Sequence, residues 1–403
     1  MLHRPIPLRL AVPFLLAALL LPLAAGPARA AANLPDTLVL SPEVLYASRQ
    51  KGLARDGSVR AAMEALKTTA DAAMRAPVEP IPARPGPGGA AMAHAYRSLD
   101  PDWWPDPKSK SGLPYLRRDG ERNPEADGDA YDFGRLSRMS RTVRSLALAW
   151  YMTGNELYAA RAAAHLRAWF CDPATRMATD LSRARLRPGT AQGDPAGIIE
   201  TACLIDACEA ARLIEPSRSW GSADDRRMRE WFANYLDWLL HSDFARREGA
   251  RLDRHGTWFD AQVAVYALFA GDERLARETA GLTGNRRMAT QIMPDGTMPR
   301  EADGGRRAVF SNLRAFFILA SVGERLGLNV WDWATATGQS IRKALDRAAP
   351  DLTPGEGDAD FDPYPYVPLF RRAALVYKDT RYLDYLDALD AKTLARQPSC
   401  IAY

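Results

Sequence analysis

The sequence predicts an all-α fold built from helical hairpins. Apolar residues recur at spacings close to i, i+3, i+4 and i+7 along most of the chain, whereas the alternation typical of strands is nearly absent. Short polar turns at 153–156, 270–273 and 378–381 are typical of antiparallel helix pairs. This repeat suggests either a solenoid or a closed α/α toroid, and loops of very unequal length argue against the fixed period of a solenoid.

The periodic segments predict eleven helices in chain order. They are 57–76, 135–152, 156–170, 196–214, 223–241, 258–270, 273–288, 308–327, 330–348, 366–378 and 381–395. Five prolines within 77–90 exclude a helix there. Long loops rich in Trp, Pro, Gly and Arg, at 97–134, 172–197 and 289–307, are where binding or catalysis is expected on a rigid helical scaffold.

The charge balance and the N-terminus bear on where the protein works. The 403 residues include 53 Lys and Arg against 49 Asp and Glu, a net charge of +4. Residues 1–30 resemble a signal peptide, with a basic start, an apolar run and a small-x-small cleavage site ending at Ala30. They hold three arginines and no acid, so the mature chain, 31–403, would carry 50 basic and 49 acidic residues, a net of +1. We therefore expect one periplasmic or secreted domain, a monomer that binds neither nucleic acid nor, after cleavage, a membrane.

Cysteine and histidine spacing predicts neither a disulfide framework nor a metal site. Cys171, Cys203, Cys208 and Cys400 are scattered without CxxC spacing, and we interpret them as small buried side chains. The five histidines form no HxxxH or HExxH pattern. We expect no catalytic metal and no cofactor.

The first loop has features of a sugar-binding surface. Trp103 and Trp104 are adjacent in a proline-stiffened segment, and Tyr115, Arg117 and Arg118 follow. Flat aromatic faces can stack on a sugar ring, and a guanidinium can pair with its carboxylate. The alternative is that either tryptophan simply closes the end of the helical core.

Two further loops carry candidates for proton transfer and anion binding. His255 follows Arg254 and precedes Trp258 at the start of a predicted helix, and an imidazole titrates near neutral pH, as a proton acceptor must. Arginines at 300, 306 and 307, with Glu301, could clamp a carboxylate. A helix-terminal histidine and a solvated arginine-rich loop are the structural alternatives.

At these loops the sequence resembles the alginate lyase-domain family of polysaccharide lyases, over residues 95–390. The matching motifs are WWPDP (103–107), GLPYLRRDGERNPE (112–125), LALAWYMTGNELYAARAAAHLRAWFCDPATRM (146–177), AQGDPAGIIET (191–201), HGTWFDAQ (255–262) and PDGTMPRE (294–301). The resemblance implies an incomplete (α/α) toroid of about five to seven hairpins. It also implies cleavage of an acidic polysaccharide, such as alginate or glucuronan, by β-elimination.

The resemblance also implies a set of catalytic positions, of which this chain keeps one clearly. His255 fits the expected histidine. Arg254 replaces the Asn expected before it, and Arg306 or Arg307 replaces an Arg expected earlier. A Tyr is expected nine or ten residues beyond Glu301, and Phe310 stands there.

We therefore predict His255, Arg254 and Arg306 as catalytic residues. The predicted substrate-binding residues are Trp103, Trp104, Tyr115, Arg117, Gln192, Trp258, Arg300 and Glu301. Phe310 leaves three explanations open: another tyrosine (115, 131, 364 or 366) reaches the site, His255 or water makes both proton transfers, or the protein binds uronate chains without cleaving them. A glycoside hydrolase using Asp295 and Glu301 is a further alternative.

Overall fold

Helices make up nearly all the regular structure of this computed structural model, so the all-α prediction is confirmed. The structure describes residues 34–84, 89–118, 121–190, 192–353 and 361–402. The elements below belong to one unit, Pro35–Tyr403. The predicted signal peptide lies outside the described residues and stays a prediction. No helix in the described ranges has the length and apolar character needed to cross a membrane.

The helices, in chain order, are α1 (Pro42–Leu53), α2 (Gly57–Ala73), α3 (Phe133–Thr153), α4 (Glu156–Leu166), α5 (Leu204–Ile214), α6 (Ser222–His241), α7 (Asp243–Gly249), α8 (Arg254–Ala270), α9 (Glu273–Gly281), α10 (Ala289–Gln291), α11 (Gly305–Arg325), α12 (Ile341–Ala348), α13 (Val367–Val376), α14 (Arg381–Asp384), α15 (Ala391–Ala395) and α16 (Ser399–Ala402). Two short strands, β1 (Trp103–Trp104) and β2 (Leu116–Arg117), pair antiparallel. Pro195–Cys203 and Pro299–Gly304 are 3₁₀ helices, and Arg167–Cys171 and Gly284–Met288 are π-helical turns.

The predicted hairpin turns form as their residues dictate. Gly154 ends α3 in the left-handed region at φ 72°, and the side chain of Asn155 then caps α4. Gly271, at φ 96°, and Asp272 do the same between α8 and α9. Glycine adopts these dihedral angles without the Cβ clash that other residues meet, so each pair can stop one helix and start the next.

Helix α8 is the most deeply buried element of the fold. Every residue from His255 to Phe269 is buried, and the helix packs against α6, α9, α11 and the 3₁₀ segment Pro195–Cys203. Its second half, from Val263 on, is apolar on all sides, as expected of a helix without a solvent face. Its first half carries buried polar residues, which must find partners within the protein.

Helix α11 separates two hydrophobic cores. Ala315 and Leu319 pack into the larger core, which contains α8, whereas Phe310 and Phe316 pack into a second core with α12 and α13. Each fully buried Leu or Phe side chain contributes roughly 1.5–3 kcal/mol of transfer free energy. The register of α11 is therefore strongly constrained, and this constraint decides which of its residues lie outside both cores.

Parts of three helix predictions are wrong. Residues 330–340 form no helix, because Asn329 and Asp332 bond to each other's polar groups and Gly338 turns the chain at φ 87°. Within 196–214 the first residues continue the 3₁₀ helix that begins at Pro195, and 381–395 breaks into α14 and α15. The four cysteines are free, and Cys171 and Cys208 are buried.

A buried carboxylate on α5 ties down the N-terminal segment of the described chain. Glu209, 4% exposed, accepts hydrogen bonds from the backbone N–H groups of Leu38 (3.0 Å) and Val39 (2.9 Å). Burial raises the pKa of Glu209 to about 7, although these hydrogen bonds oppose the shift. The ionised form is thus disfavoured in the folded protein relative to the unfolded chain.

We expect Glu209→Gln to remove a pH-dependent loss of stability. Because the pKa of Glu209 is raised from 4.5 to about 7 in the folded state, the free energy of unfolding is highest when Glu209 is protonated. It falls as the pH rises from about 4.5 to about 7. Between pH 5 and pH 8 the wild type should lose roughly 2 to 3 kcal/mol more than the variant. Urea unfolding of both proteins at the two pH values measures this difference, and parallel losses would contradict the assignment.

Candidate active site

His255 lies in the first turn of α8 and is hydrogen bonded to a buried carboxylate. Asp253 caps the helix by accepting from the backbone N–H of His255 at 3.0 Å. The ring Nδ1–H donates to Oε1 of Glu248, on α7, at 2.6 Å. Glu248 is 1% exposed and His255 is 5% exposed. The hydrogen bond holds the proton on Nδ1 and leaves the lone pair on Nε2, the arrangement of a general base with an orienting carboxylate.

Arg287 joins the two helices that carry this pair. Its guanidinium forms two hydrogen bonds to Asp260 of α8, at 2.6 and 2.9 Å. It also donates to the carbonyl oxygens of Gly249 (2.8 Å) and Arg251 (2.5 Å) at the end of α7. A Cβ on Gly256 would lie 2.1 Å from the Arg251 carbonyl oxygen, so the glycine after His255 permits this close approach.

Arg254 and Glu301, both predicted site residues, form an ion pair. Glu301 accepts from the backbone N–H of Arg254 at 2.5 Å and from its Nη1 at 3.0 Å. Asn312 of α11 donates to Glu301 at 3.2 Å and to Gln291 at 2.8 Å. Burial raises the pKa of Glu301, while Arg254 opposes the shift. The pair fastens the start of α8 to the segment before α11, and the Arg254 side chain stays 31% exposed.

A pocket of about 350 Å³ reaches the helix that carries His255. Its wall includes Trp258, which is three residues after His255 and therefore on nearly the same face of α8. Three arginines from three different elements also line it: Arg122, Arg185 and Arg314. The pocket thus combines an aromatic side chain and three guanidinium groups with the carboxylates of Glu200 and Asp206.

A family model described as alginate lyase matches residues 84–357. The chain belongs to the alginate lyase family. The matched range contains the His255–Glu248 pair, Trp258 and the three arginines of the pocket. No curated protein matches the chain.

The chain is also similar to solved structures. An alginate lyase from Bacteroides ovatus is 28% identical, with a TM-score of 0.82, over 91% of this chain and 99% of its own. Alginate lyase A1-III from Sphingomonas species A1 is 14% identical with a TM-score of 0.48, over 84% and 94%. A Tyr-to-Phe variant of A1-III complexed with tetrasaccharide is 14% identical with a TM-score of 0.51, over the same shares.

In this alginate lyase family member, the loop 97–134, which carries Trp103 and Trp104, packs against the loop that precedes Pro195–Cys203. The Arg187 guanidinium lies 4.5 Å from the Trp103 ring centroid, and Arg118 lies 5.0 Å from that of Trp104. Tyr115 donates to Glu125 at 3.2 Å, and burial raises its pKa to about 12. One face of each tryptophan is therefore covered by an arginine. The predicted sugar-binding role of this loop, including exposed Arg117, stays a prediction.

The remaining predicted residues lie in different surroundings. Gln192 and Arg300 are exposed. Arg306 donates to the carbonyl oxygens of Asp351 and Thr353, at 3.1 Å each, and its guanidinium lies 4.2 Å from the Phe361 ring centroid. These contacts fasten the chain that leads toward α13. A role of Arg306 at the substrate carboxylate stays a prediction.

The resemblance predicts a tyrosine nine or ten positions beyond Glu301, and the register of α11 determines which of these two positions faces the pocket. Phe310, the ninth, is fully buried in the second core and stacks on Tyr366 at 5.0 Å between ring centroids. Ser311, the tenth, lines the pocket and accepts a hydrogen bond from Nε1 of Trp258 at 3.0 Å. Phe310 is therefore a core residue, and the pocket position of this helix carries a serine hydroxyl.

Sequence reasoning missed several residues of the site: Glu248, Arg122, Arg185, Glu200 and Arg314. Glu248 lies on the helix before His255, and no local spacing rule links the two. The arginines are three among 46 in the chain, so composition could not single them out. Helical spacing was the one available signal, since Arg314 and Ser311 are three residues apart on the predicted helix 308–327.

We expect Arg287→Met to destabilise the fold strongly, because the buried Asp260 carboxylate loses both of its hydrogen bonds from Arg287 and keeps only a 3.5 Å contact with Arg286. The cost should be about 3–5 kcal/mol. Arg286→Met is the matched control, since Arg286 is 45% exposed, donates to the same Gly249 carbonyl at 2.9 Å and lies 3.5 Å from the same Asp260 carboxylate. Its loss should cost about 1 kcal/mol or less. Urea unfolding followed by circular dichroism compares them, and equal losses would refute the special role of Arg287.

Proposed function

We propose that this protein is an exported lyase that cleaves an acidic polysaccharide, such as alginate or glucuronan, by β-elimination. The observation that carries the proposal is the buried His255–Glu248 pair in a member of the alginate lyase family, on a helix whose Trp258 lines a pocket with three arginines. A second cavity of about 670 Å³ shares Ile205, Asp206, Arg314 and Ile318 with this pocket, and two adjoining cavities suit a ligand of more than one sugar unit. The tetrasaccharide complex of A1-III also favours an oligosaccharide ligand.

β-Elimination makes three chemical demands on the site. Positive charge must neutralise the uronate carboxylate, so that the carbanion formed at C5 is stabilised. A base must remove the C5 proton, and an acid must protonate O4 as the C4–O4 bond breaks. The electron pair of the C5–H bond becomes the C4–C5 double bond, and the leaving chain departs with a hydroxyl group.

His255 is the base in this mechanism. Its Nε2 lone pair accepts the C5 proton, and the Glu248 carboxylate stabilises the imidazolium that results, since it accepts the Nδ1 hydrogen bond throughout. The guanidinium groups of the pocket neutralise the substrate carboxylate.

Tyr366 is the acid in this mechanism. Of the four candidate tyrosines, Tyr115 is bonded to Glu125, the ring of Tyr131 lies under Arg97, and Tyr364 lines the larger cavity. Tyr366 instead stacks on Phe310 and lies close enough to Arg314, which lines the pocket, for that charge to act on its pKa. Burial raises its pKa, although the charges of Arg314 and Arg307 oppose the shift, so the phenol stays protonated at neutral pH. A protonated phenol beside cationic groups suits donation to O4.

A non-catalytic uronate-binding protein is the second candidate function. It is favoured by one observation, that positions 310 and 311 carry phenylalanine and serine rather than tyrosine. The hydrolase alternative lacks such support. Asp295 caps the backbone N–H of Thr297 on an exposed turn, and Glu301 is paired with Arg254.

The test of function is the ultraviolet absorbance of the C4–C5 double bond on a panel of uronate polymers. We expect absorbance with at least one polymer and a loss of about 10²–10⁴-fold in kcat for His255→Ala. His241→Ala, a change at an exposed histidine on α6, is the matched control and should keep full activity. Binding of a uronate polymer without absorbance on any polymer of the panel would refute lyase activity and favour the non-catalytic binding protein.

We expect Tyr366→Phe to lower kcat by about 10²-fold or more while leaving KM nearly unchanged, since only the donated proton is lost. Tyr385→Phe is the control, because it removes a hydroxyl from a tyrosine that packs on Phe370 in the same core and lines neither cavity. Steady-state kinetics on the polymer that gives absorbance compares the two. Equal activity of Tyr366→Phe and wild type would assign the donor elsewhere.

A further inference from the structure

Arg185 combines an unfavourable backbone conformation with a place in the pocket. Three non-glycine residues of the described ranges adopt positive φ: Arg55 at 57°, Arg185 at 49° and Lys378 at 51°. Arg55 and Lys378 are exposed at turns that follow helices. Arg185 lines the pocket instead, and strained residues tend to persist where the surrounding structure holds them for function.

The main chain at Arg185 is held by close packing on both sides. Its backbone N–H donates to Oγ of Ser98 at 2.8 Å. On the other side two glycines of the AQGDPAG motif contact Ala184. A Cβ on Gly193 would lie 1.8 Å from the Ala184 carbonyl oxygen, and one on Gly197 would lie 2.5 Å from the Ala184 Cβ. These glycines therefore allow the segment to fit tightly and keep Arg185 in its conformation.

The side chain of Arg185 is held from one edge. Its Nε lies 3.4 Å from Oε1 of Glu200, whose other oxygen accepts from the hydroxyls of Tyr96 (2.7 Å) and Ser98 (2.6 Å). The Glu200 side chain is 9% exposed, and that of Arg185 is 24% exposed. Among the residues that the structure describes, none accepts a hydrogen bond from Nη1 or Nη2 of Arg185. Two parallel donors thus remain for a ligand.

The other two arginines of the pocket are engaged differently. Arg122 forms two hydrogen bonds to Asp127, at 3.1 and 2.6 Å, so its fork is already occupied by a carboxylate. Arg314 lies 5.8 Å from the Trp258 ring centroid on the exposed face of α11. Arg185 therefore has a guanidinium that Glu200 orients through Nε, and its two Nη groups are available to a ligand in the pocket that it lines.

We propose that Arg185 binds the carboxylate of a uronic acid residue through a two-hydrogen-bond fork, held in position by Glu200, Ser98 and the Gly193–Gly197 segment. This inference rests on the proposed function and names the residue that recognises the acidic group. Planar guanidinium and carboxylate groups match in two parallel hydrogen bonds, which gives both charge neutralisation and orientation. Neutral sugars would gain nothing from this contact.

Arg185→Gly is the sharpest variant, because glycine adopts positive φ without strain and leaves the main chain in place. With a uronate tetrasaccharide, calorimetry should show binding weakened about 10- to 100-fold. With the carboxyl-reduced tetrasaccharide, wild type and variant should bind equally. Added guanidinium ion at millimolar concentration should restore part of the uronate affinity, since it fits the space left by the side chain. Arg55→Gly is the control and should change neither affinity.

The outcomes separate this inference from the proposed function. If the wild type gives ultraviolet absorbance and Arg185→Gly binds the uronate ligand as tightly as the wild type, the role of Arg185 is refuted and the lyase activity still stands. Equal weakening toward the reduced ligand would also overturn it, because the effect would then come from pocket shape. If Arg185→Gly weakens binding of the uronate ligand alone, and the wild type gives no ultraviolet absorbance, the carboxylate-binding role of Arg185 is supported and the lyase activity is refuted.

Discussion

The buried ion pair between Arg287 and Asp260 is the constraint on which the geometry of the site depends. One guanidinium makes four hydrogen bonds, two to α8 and two to carbonyl oxygens at the end of α7. Removing two charges from water is costly, and only such complete pairing offsets the cost. The pair therefore fixes the turn between the two helices, and with it the distance from Glu248 to His255.

A second constraint comes from the two cores that share α11. Because Phe310 is committed to one core and Ala315 to the other, rotation of the helix would expose apolar surface or bury Arg314. The pocket therefore receives Ser311 and Arg314 as a consequence of packing. The loops opposite are fixed in the same way by backbone hydrogen bonds, such as those joining Ser98 and Asp100 to Leu186.

Helical periodicity and turn residues sufficed to predict the fold class, the hairpin turns and the place of His255. They failed at 330–340, where side-chain hydrogen bonds and Gly338 outweigh an apolar pattern of helical spacing. The partner of His255 was not predictable, because Glu248 meets it only through tertiary packing, and so does the Arg287 that joins their helices. Counting from Glu301 did not show whether position 310 or position 311 faces the pocket. Only the register of α11 shows that residue 310 lies in the core and residue 311 lines the pocket.

The contacts of Arg306 connect it to the site by an indirect route. Its guanidinium lies on the Phe361 ring, which stacks on Tyr366 with 12° between the ring planes, and Tyr366 stacks in turn on Phe310. Phe310 and Phe361 are themselves 6.0 Å apart, so the three rings form one cluster in which each ring packs against the other two. In the proposed mechanism Arg306 would act as a positioning residue for the proton donor, while Arg185 would neutralise the carboxylate and His255 would accept the proton. Under this division, charge neutralisation and the two proton transfers reside on separate elements, each fixed by its own buried contacts.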